Sequence, residues 1–432
     1  MLYETAELFY SVKLRRNLSD GSERVPFGAA HYSYGAVADK FVTALRRLNV
    51  SLRELARPEI YPPLKPDGRR PLHLCFKPYE EIRLLHGALN IAHVAWEFAK
   101  LPHRADWPLG DPRRLNPFSD YLHMIKIPDR VWVGCEYTKN VFLKYGVANV
   151  DVVPAPIQTP IPLERGFAEV RSIARSIALH RIADLDVIKL DGRVAQRPAP
   201  FLIEQNRVKL GEALKDSRNV FVTVANPGDL RKNLPAIIDG FSLAAQRTPG
   251  LTLILKATIE SSIESVRTVI SETLPKRYSE QERTFGDITP TGVYILAERL
   301  SDDDLLALQA SADFYLSAAI AEGQNLPLQE AMSVGTVPIA PANTAMADYI
   351  VPENAIVVPF SLRRAPACFE SAYGLGEIEA PWVTSEAVAA AVETAAAASP
   401  QQRAERGRAA WETMKSHYSG AILARRIAEL CC

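Results

Sequence analysis

Between Asn219 and Pro359, short runs that are apolar from end to end alternate with amphipathic segments, a pattern that few folds accept. Phe221–Ala225, Leu251–Leu255, Gly292–Leu296, Phe314–Ser317, Thr336–Ala340 and Ala355–Val358 are runs of strand length. A strand that is apolar on both faces wants a cover on each, as in a parallel sheet sandwiched by helices. The intervening segments supply those covers. Pro235–Gln246 sets Ile237, Ile238, Phe241, Ala244 and Ala245 at helical spacing and stops at Thr248–Gly250. Ser301 opens another helix as N-cap, with Asp304 three residues on in the manner of a capping box. The second half therefore reads as a doubly wound α/β domain.

The first half repeats the pattern more faintly. Val25–Ala30 is expected as a first strand leading into Tyr34–Leu48, where Val37, Phe41, Leu45 and Leu48 are helically spaced. Pro71–Phe76, Ala88–Val94, Arg130–Gly134 and Val150–Val153 are candidate strands, and Thr138–Tyr145 is a helix ending at Gly146. A Pro-rich exit follows (Pro154, Pro156, Pro160, Pro162), and between Gly166 and Ser217 the pattern blurs into a poorly defined linker. The expected division is 1–205, 206–400 and a helical tail 401–432 that can cross back to the first domain. Ligands of open parallel sheets sit beyond the carboxyl ends of the strands, so two such Rossmann-like domains would face a central cleft.

Composition narrows the function. Of 432 residues, 50 are Lys or Arg and 50 are Asp or Glu, a balance that argues against nucleic acid as a partner. No apolar stretch is long enough to span a bilayer, and Met1–Arg16 is too polar for a signal peptide. The 5 cysteines are scattered without zinc-type spacing, so a reduced cytoplasmic protein without a structural metal is expected. Cys431 and Cys432 lack the prenylation pattern and read as an ordinary terminus. Early basic residues (Lys13, Arg15, Arg16, Arg46, Arg47) leave room for peripheral contact with the inner face of a membrane, although acidic neighbours favour a solvated surface. The Ala387–Ala398 run reads as an Ala-rich helix.

The sharpest local feature is the run Ala321–Glu330, shortly after the Phe314–Ser317 strand. Gly323 lets the backbone turn tightly, Asn325 suits an N-cap, and Pro327 fits the first helical turn. The helix would point its N–H groups and positive end at a phosphate-type anion. Glu322 stands in the loop before it and Glu330 about a turn inside, placing two carboxylates along one groove, where each can accept hydrogen bonds from sugar hydroxyls. The second feature is the turn Asn226–Asn233, whose Arg231 and Lys232 would face the same crevice and neutralise a diphosphate. Lys256 is a weaker candidate just after its strand. Each also has a bland reading. Acidic residues near a helix start answer the helix dipole, and a basic pair in a loop is commonly a solvated charge.

On these residues the run Phe221–Pro359 resembles the donor domain of retaining GT-B glycosyltransferases of the family 4 type (glycosyl transferases group 1). The shared pattern is Glu322, Gly323, Glu330, Ala331 and Gly335-Thr336-Val337-Pro338, with Ala312-Asp313-Phe314-Tyr315-Leu316 and Arg231-Lys232-Asn233 upstream. Asp129–Val133 through Gly146-Val147, and Trp96-Glu97, are similar to parts of the family's first domain. The resemblance implies the GT-B fold, two Rossmann-like doubly wound domains facing a central cleft, with the acceptor side first and the nucleotide-sugar donor side second. It implies Glu322 on the donor sugar, Glu330 on the ribose, and the Gly323, Gln324, Asn325 and Leu326 backbone around sugar and diphosphate. Arg231 and Lys232 would stabilise the leaving diphosphate, and Leu296 and Ala297 would lie near the base. Where the family often carries a further basic residue this chain has Asn226, and Cys135 stands in place of a common serine.

On the acceptor side, His31, Tyr34 and Gly35 fall where the family has a Gly-rich loop, and His93 and Glu97 follow another strand end. A lone histidine is more often structural than catalytic. The implied chemistry is a retaining, metal-independent transfer of sugar from a nucleotide-diphosphate donor, with cations in place of a metal. Attack would come from the face the diphosphate leaves, a phosphate oxygen would take the acceptor proton, and domain closure would exclude water. The expected acceptor is a glycan, a lipid-linked molecule or a protein. Two alternatives stay open: a GT-B sugar-nucleotide epimerase drawing acid/base groups from His31, His93 or Glu97, and a non-catalytic sugar-nucleotide-binding protein. A nicotinamide dehydrogenase is disfavoured because no Gly-x-Gly-x-x-Gly follows a strand.

Overall fold

The computed structural model describes residues 8–13, 30–64, 70–157, 166–373, 375 and 377–431, with the backbone alone for 30–33, 173–180, 370–372 and 430–431. The chain divides into two compact units. One holds Met1–Gln158, Tyr373–Ile378 and His417–Cys432, and the other holds Thr159–Ala372 and Glu379–Ser416.

In the first unit, β1 (Leu8–Val12), β2 (Leu52–Glu54), β3 (Leu72–Phe76), β4 (Leu89–His93), β5 (Arg130–Val133) and β6 (Val150–Val152) form a 6-stranded sheet ordered β2-β1-β3-β4-β5-β6. Every pairing is parallel, and β3 is buried along its whole length, its one polar residue, His73, included. The first strand is not where the sequence suggests. It is Leu8–Val12, five residues hidden against a basic run that begins at Lys13. Of Val25–Ala30, residues 25–29 lie outside the described residues, and Ala30 begins the helix Ala30–Arg47. That helix turns Phe41 onto Phe76, with ring centroids 5.1 Å apart, and onto His93, also at 5.1 Å. The last helix, Gly420–Cys431, belongs to this unit and packs on Ala30–Arg47.

Two buried histidines should make the stability of this unit fall with acid. His73 lies between Asn90 Oδ1, 2.9 Å from Nδ1, and Ser11 Oγ, 3.0 Å from Nε2. Burial pushes its pKa down to about 4, and burial does the same to His93, also about 4. An unfolded imidazole titrates near ~6.5. Between about pH 6.5 and pH 4 the unfolded chain therefore binds more protons than the folded one, and stability rises with pH. The contribution is full above about pH 6.5 and is lost as pH falls through 4, at up to about 1.4 kcal/mol per pH unit for each histidine. Urea unfolding at pH 7 and pH 5 should show the loss, and His73→Gln should flatten it; an unchanged pH slope in that variant would remove His73 from the account.

In the second unit the helix Phe167–Ile182 is followed by β7 (Asp186–Leu190), β8 (Arg207–Lys209), β9 (Asn219–Ala225), β10 (Leu251–Ala257), β11 (Val293–Leu296), β12 (Phe314–Leu316), β13 (Val337–Ala340) and β14 (Ile356–Val357). They form an 8-stranded sheet ordered β14-β13-β12-β9-β10-β11-β7-β8. From β14 to β11 the pairings are parallel, while β7 and β8 add antiparallel at the edge. The stretch Gly166–Ser217, expected as a linker, is thus four helices and two sheet strands of this unit, and the boundary between units falls after Gln158. A separate ribbon pairs β15 (Ser361–Arg364) with β16 (Glu379–Trp382). The Ala-rich run forms the helix Ser385–Ala397 behind Thr384 as N-cap, and the tail continues in Pro400–His417.

Helix Leu234–Arg247 packs tightly on Ser385–Ala397: a Cβ at Gly240 would stand 2.5 Å from the Ser385 carbonyl oxygen, so only glycine fits. Ser301 caps its helix by accepting from Asp304 N–H, as expected, but its own hydroxyl then donates to Asp304 Oδ2 at 2.6 Å.

Candidate functional site

Adjacent parallel strands β12, β9, β10 and β11 bring the expected donor-side residues to one edge of the second unit's sheet. Register sets Lys256 opposite Val224 on one side and Leu296 on the other. The Tyr315 hydroxyl, from β12, both accepts from Val224 N–H and donates to the Val224 carbonyl, each at 3.3 Å.

Above this edge the loops after β9 and β12 are laced together. Ile320 N–H donates to the Arg231 carbonyl at 2.7 Å. Lys232 Nζ donates to Glu322 Oε1 at 2.6 Å, with side chains only 19% and 6% exposed. The loop after β13 holds the backbone of Glu322 from behind. Thr344 Oγ1 accepts from Glu322 N–H at 3.0 Å, and Ala345 N–H donates to the Glu322 carbonyl at 3.3 Å. Thr344 has φ 44°, a strained left-handed backbone for a β-branched residue. Such strain persists where surrounding structure over-determines it, which here is the grip on Glu322.

Arg231 is turned differently. Its guanidinium closes on Asp229, with Nη2 at 2.7 Å from Oδ2. Burial pushes the Asp229 carboxyl up, but Arg231, Lys232 and the hydrogen bonds from Arg231 outweigh it and hold the group well below the usual carboxylate range. Asn226 Oδ1 accepts from Gly228 N–H at 2.9 Å and shapes the same turn.

In the loop before helix Leu326–Ser333 the turn is made by Asn325, at φ 61° and ψ 60°, and not by Gly323, which is outside the left-handed region. Asn tolerates that conformation through its short polar side chain. The Asn325 side chain makes no cap bond. Its Nδ2 reaches Ser317 Oγ at 3.5 Å and Met346 Sδ at 3.3 Å. Pro327 stands in the first turn as expected. Gln324 turns back along the helix to Gln329, and its carbonyl accepts from the Tyr349 hydroxyl at 2.9 Å. Leu326 and Glu330 are half-buried. Burial raises the Tyr315 hydroxyl far above its ordinary range, against the pull of its bond to the Val224 backbone, with smaller upward pushes from Glu322 and Glu330.

Three donor-side expectations are changed in detail. Lys256 lies inside β10 rather than after it, buried, with Nζ donating to the Ala257 carbonyl at 2.6 Å. Burial lowers its pKa to about 8, against a smaller upward pull from Glu298. Leu296 and Ala297 are buried, so their side chains face the protein interior.

Of the residues expected on an acceptor side, the structure of the first unit joins some and separates others. His31, Tyr34 and Gly35 lie in the first turns of helix Ala30–Arg47 rather than in a loop, and the His31 side chain is outside the described ones. Tyr34 is bonded to the backbone of Ala95; burial first and Glu97 next raise its hydroxyl's ionisation far above the ordinary range. Tyr34 and Glu97 are therefore neighbours at the end of β4. His93 is turned into the core against Phe41 and Phe76, with Nε2 buried and unpartnered. Gly35 opens onto clear space.

The sequence matches no known family model and no curated protein. Solved structures resemble the chain in fold. An E. coli trehalose-6-phosphate structure bound with UDP-2-fluoro glucose matches at TM-score 0.55 and 12% identity, over 98% of this chain and 99% of that one. The α,α-trehalose-phosphate synthase (UDP-forming) of Burkholderia vietnamiensis matches at TM-score 0.52 and 14% identity, over 94% and 77%. The fold is GT-B.

S. aureus TarM in complex with UDP matches at TM-score 0.48 and 10% identity, and there this GT-B chain covers 84% of itself but spans 55% of the other's length. Among the described residues no group of three or more His, Cys, Asp or Glu is placed to hold a metal ion, and no helix is long and apolar enough to cross a membrane. Sequence reasoning gave Tyr315 no role beyond its place in the family pattern and missed Thr344, whose hydroxyl accepts from Glu322 N–H. Asn343-Thr344, a polar pair just after an apolar strand, was the available signal for Thr344.

Proposed function

We propose that the protein is a retaining, metal-independent glycosyltransferase that moves a sugar from a nucleotide-diphosphate donor, and that the second unit holds the donor. The observation that carries this reading is the 2.6 Å Lys232–Glu322 pair at the carboxyl ends of β9 and β12, held by loops from three strands. A lysine and a carboxylate at that edge suit the two parts of such a donor. Glu322 accepts from the sugar hydroxyls, and Lys232 and Arg231 meet the diphosphate, with the backbone from Gly323 to Leu326 beside it. Glu330 takes the ribose, Asn226 and Lys256 support the phosphate side, and the chain leaving Leu296 and Ala297 passes the base. The acceptor side belongs to Tyr34, Gly35 and Glu97 of the first unit, with His31 and His93 the remaining candidates.

In the reaction the bond from the anomeric carbon to the diphosphate oxygen breaks while the acceptor oxygen bonds to the same face. The acceptor proton passes to a departing phosphate oxygen. Charge grows on the diphosphate, and cations already fixed by ion pairs stabilise it without reorganising. The cations stand in for a metal.

A panel of nucleotide sugars read by protein melting temperature tests the donor assignment. A donor present at ~100 times its Kd should stabilise the folded protein by about 2.7 kcal/mol. A panel of uridine, guanosine, adenosine and cytidine diphosphate sugars that left the melting temperature unmoved would contradict it.

A further inference from the structure

Arg277, in the helical segment Leu274–Ser279, is a basic residue that the sequence pattern does not single out, yet it reaches the loop after β9. Its Nη1 donates to the Gly228 carbonyl at 3.4 Å, within the turn that ends at Lys232. Its Nη2 pairs with Glu280 Oε1 at 3.0 Å, and the two side chains are 11% and 15% exposed. The pairing is incomplete: Arg277 Nε and Glu280 Oε2 are both buried without a hydrogen-bond partner. A buried donor or acceptor left unmade costs roughly 1–3 kcal/mol, so a native chain that keeps one of each here calls for a reason.

The backbone presents this pair deliberately. Val269–Thr273 is a turn of π-helix between Ile263–Thr268 and Leu274–Ser279, a feature that re-aims the residues after it and is common near functional sites. Beyond it Tyr278 donates to Asp239 Oδ1 at 2.6 Å, and Gln281 Nε2 donates to Asn233 Oδ1 at 3.1 Å. The segment carrying Arg277 is thereby pinned to the residue that follows Lys232.

Electrostatics supplies the role. Arg231 is matched by Asp229 and Lys232 by Glu322, so these four side chains sum to zero charge beside the loop. A diphosphate arriving there needs a further cation, and a guanidinium can exchange one carboxylate for phosphate oxygens while keeping its forked geometry. We propose that Arg277 is a further cation of the donor site, which leaves Glu280 to bind the diphosphate of the nucleotide. This rests on the donor reading above.

Calorimetric titration of the full chain with UDP, GDP, ADP and CDP, and with the matching monophosphates, tests it. For whichever diphosphate binds the wild type, Arg277→Gln should weaken binding about tenfold and the monophosphate only about two- to threefold. Glu280→Gln removes the competing carboxylate and should tighten the diphosphate by about threefold, a change of opposite sign that a merely structural pair would not give. Arg247→Gln, which breaks a surface pair with Glu393, is the control for total charge. Equal diphosphate affinity in Arg277→Gln and wild type, or weakening by both Arg277→Gln and Glu280→Gln, would overturn the role of Arg277 alone. A wild type that binds none of the diphosphates would overturn the donor reading and this inference with it.

Discussion

Glu322→Gln should reduce sugar transfer by about 100- to 1,000-fold while the protein still melts cooperatively near the wild-type temperature. Glutamine keeps the shape of the side chain and an oxygen able to accept from Lys232 Nζ, so the 2.6 Å contact survives as a weaker, singly charged bond. The loop stays in place because its anchors are backbone groups, Glu322 N–H on Thr344 and the Glu322 carbonyl on Ala345. What disappears is the negative charge. The glutamine can no longer accept from two sugar hydroxyls at full strength, nor oppose the positive charge that develops at the anomeric carbon. The check is steady-state transfer with the donor found by the melting panel, alongside a melting curve. Turnover within a few-fold of wild type would remove Glu322 from the chemistry.

Lys232→Ala should act on binding first, lowering donor affinity by about 100-fold, of the size expected for loss of one buried charge-assisted contact. It also leaves Glu322, 6% exposed, without its cation. Removing one partner of a fully buried pair costs about 3–5 kcal/mol, and the 19% exposure of the Lys232 side chain puts this case toward the lower end. The variant should therefore both bind donor poorly and melt earlier, whereas Glu322→Gln does neither to the same degree. Donor titration and melting of the two variants side by side check the contrast. A Lys232→Ala protein with wild-type donor affinity would break the assignment of Lys232 to the diphosphate.

The sheet of the second unit was legible because its parallel strands are apolar throughout, and only a strand covered on both faces tolerates that. The edge was not. β7 and β8 are short, mix charged with apolar residues, and lie in a stretch that reads as linker, because an antiparallel edge strand need bury only one face. In the first unit β1 escaped notice for a related reason: five residues next to a basic run carry too little pattern. In the site, residue types and spacing located Lys232 and Glu322, while their direct pairing, made across ninety positions of chain, is a product of the sheet order β12-β9. The turn residue was misjudged because glycine is the usual choice for a left-handed backbone, yet here Asn325 takes it. His93 shows the opposite failure, a polar residue at a strand end whose ring the packing turns inward against Phe41. Arg277 had no signal at all, since its approach to Gly228 depends on a π-helical turn with no sequence signature.

The most direct test of the donor site is a crystal structure of the protein grown with the nucleoside diphosphate that stabilises it most. The account predicts phosphate oxygens within hydrogen-bond distance of Lys232 Nζ and of backbone N–H groups between Gly323 and Leu326, with Glu330 on the ribose. A nucleotide seated elsewhere, with the Lys232–Glu322 pair untouched, would contradict it.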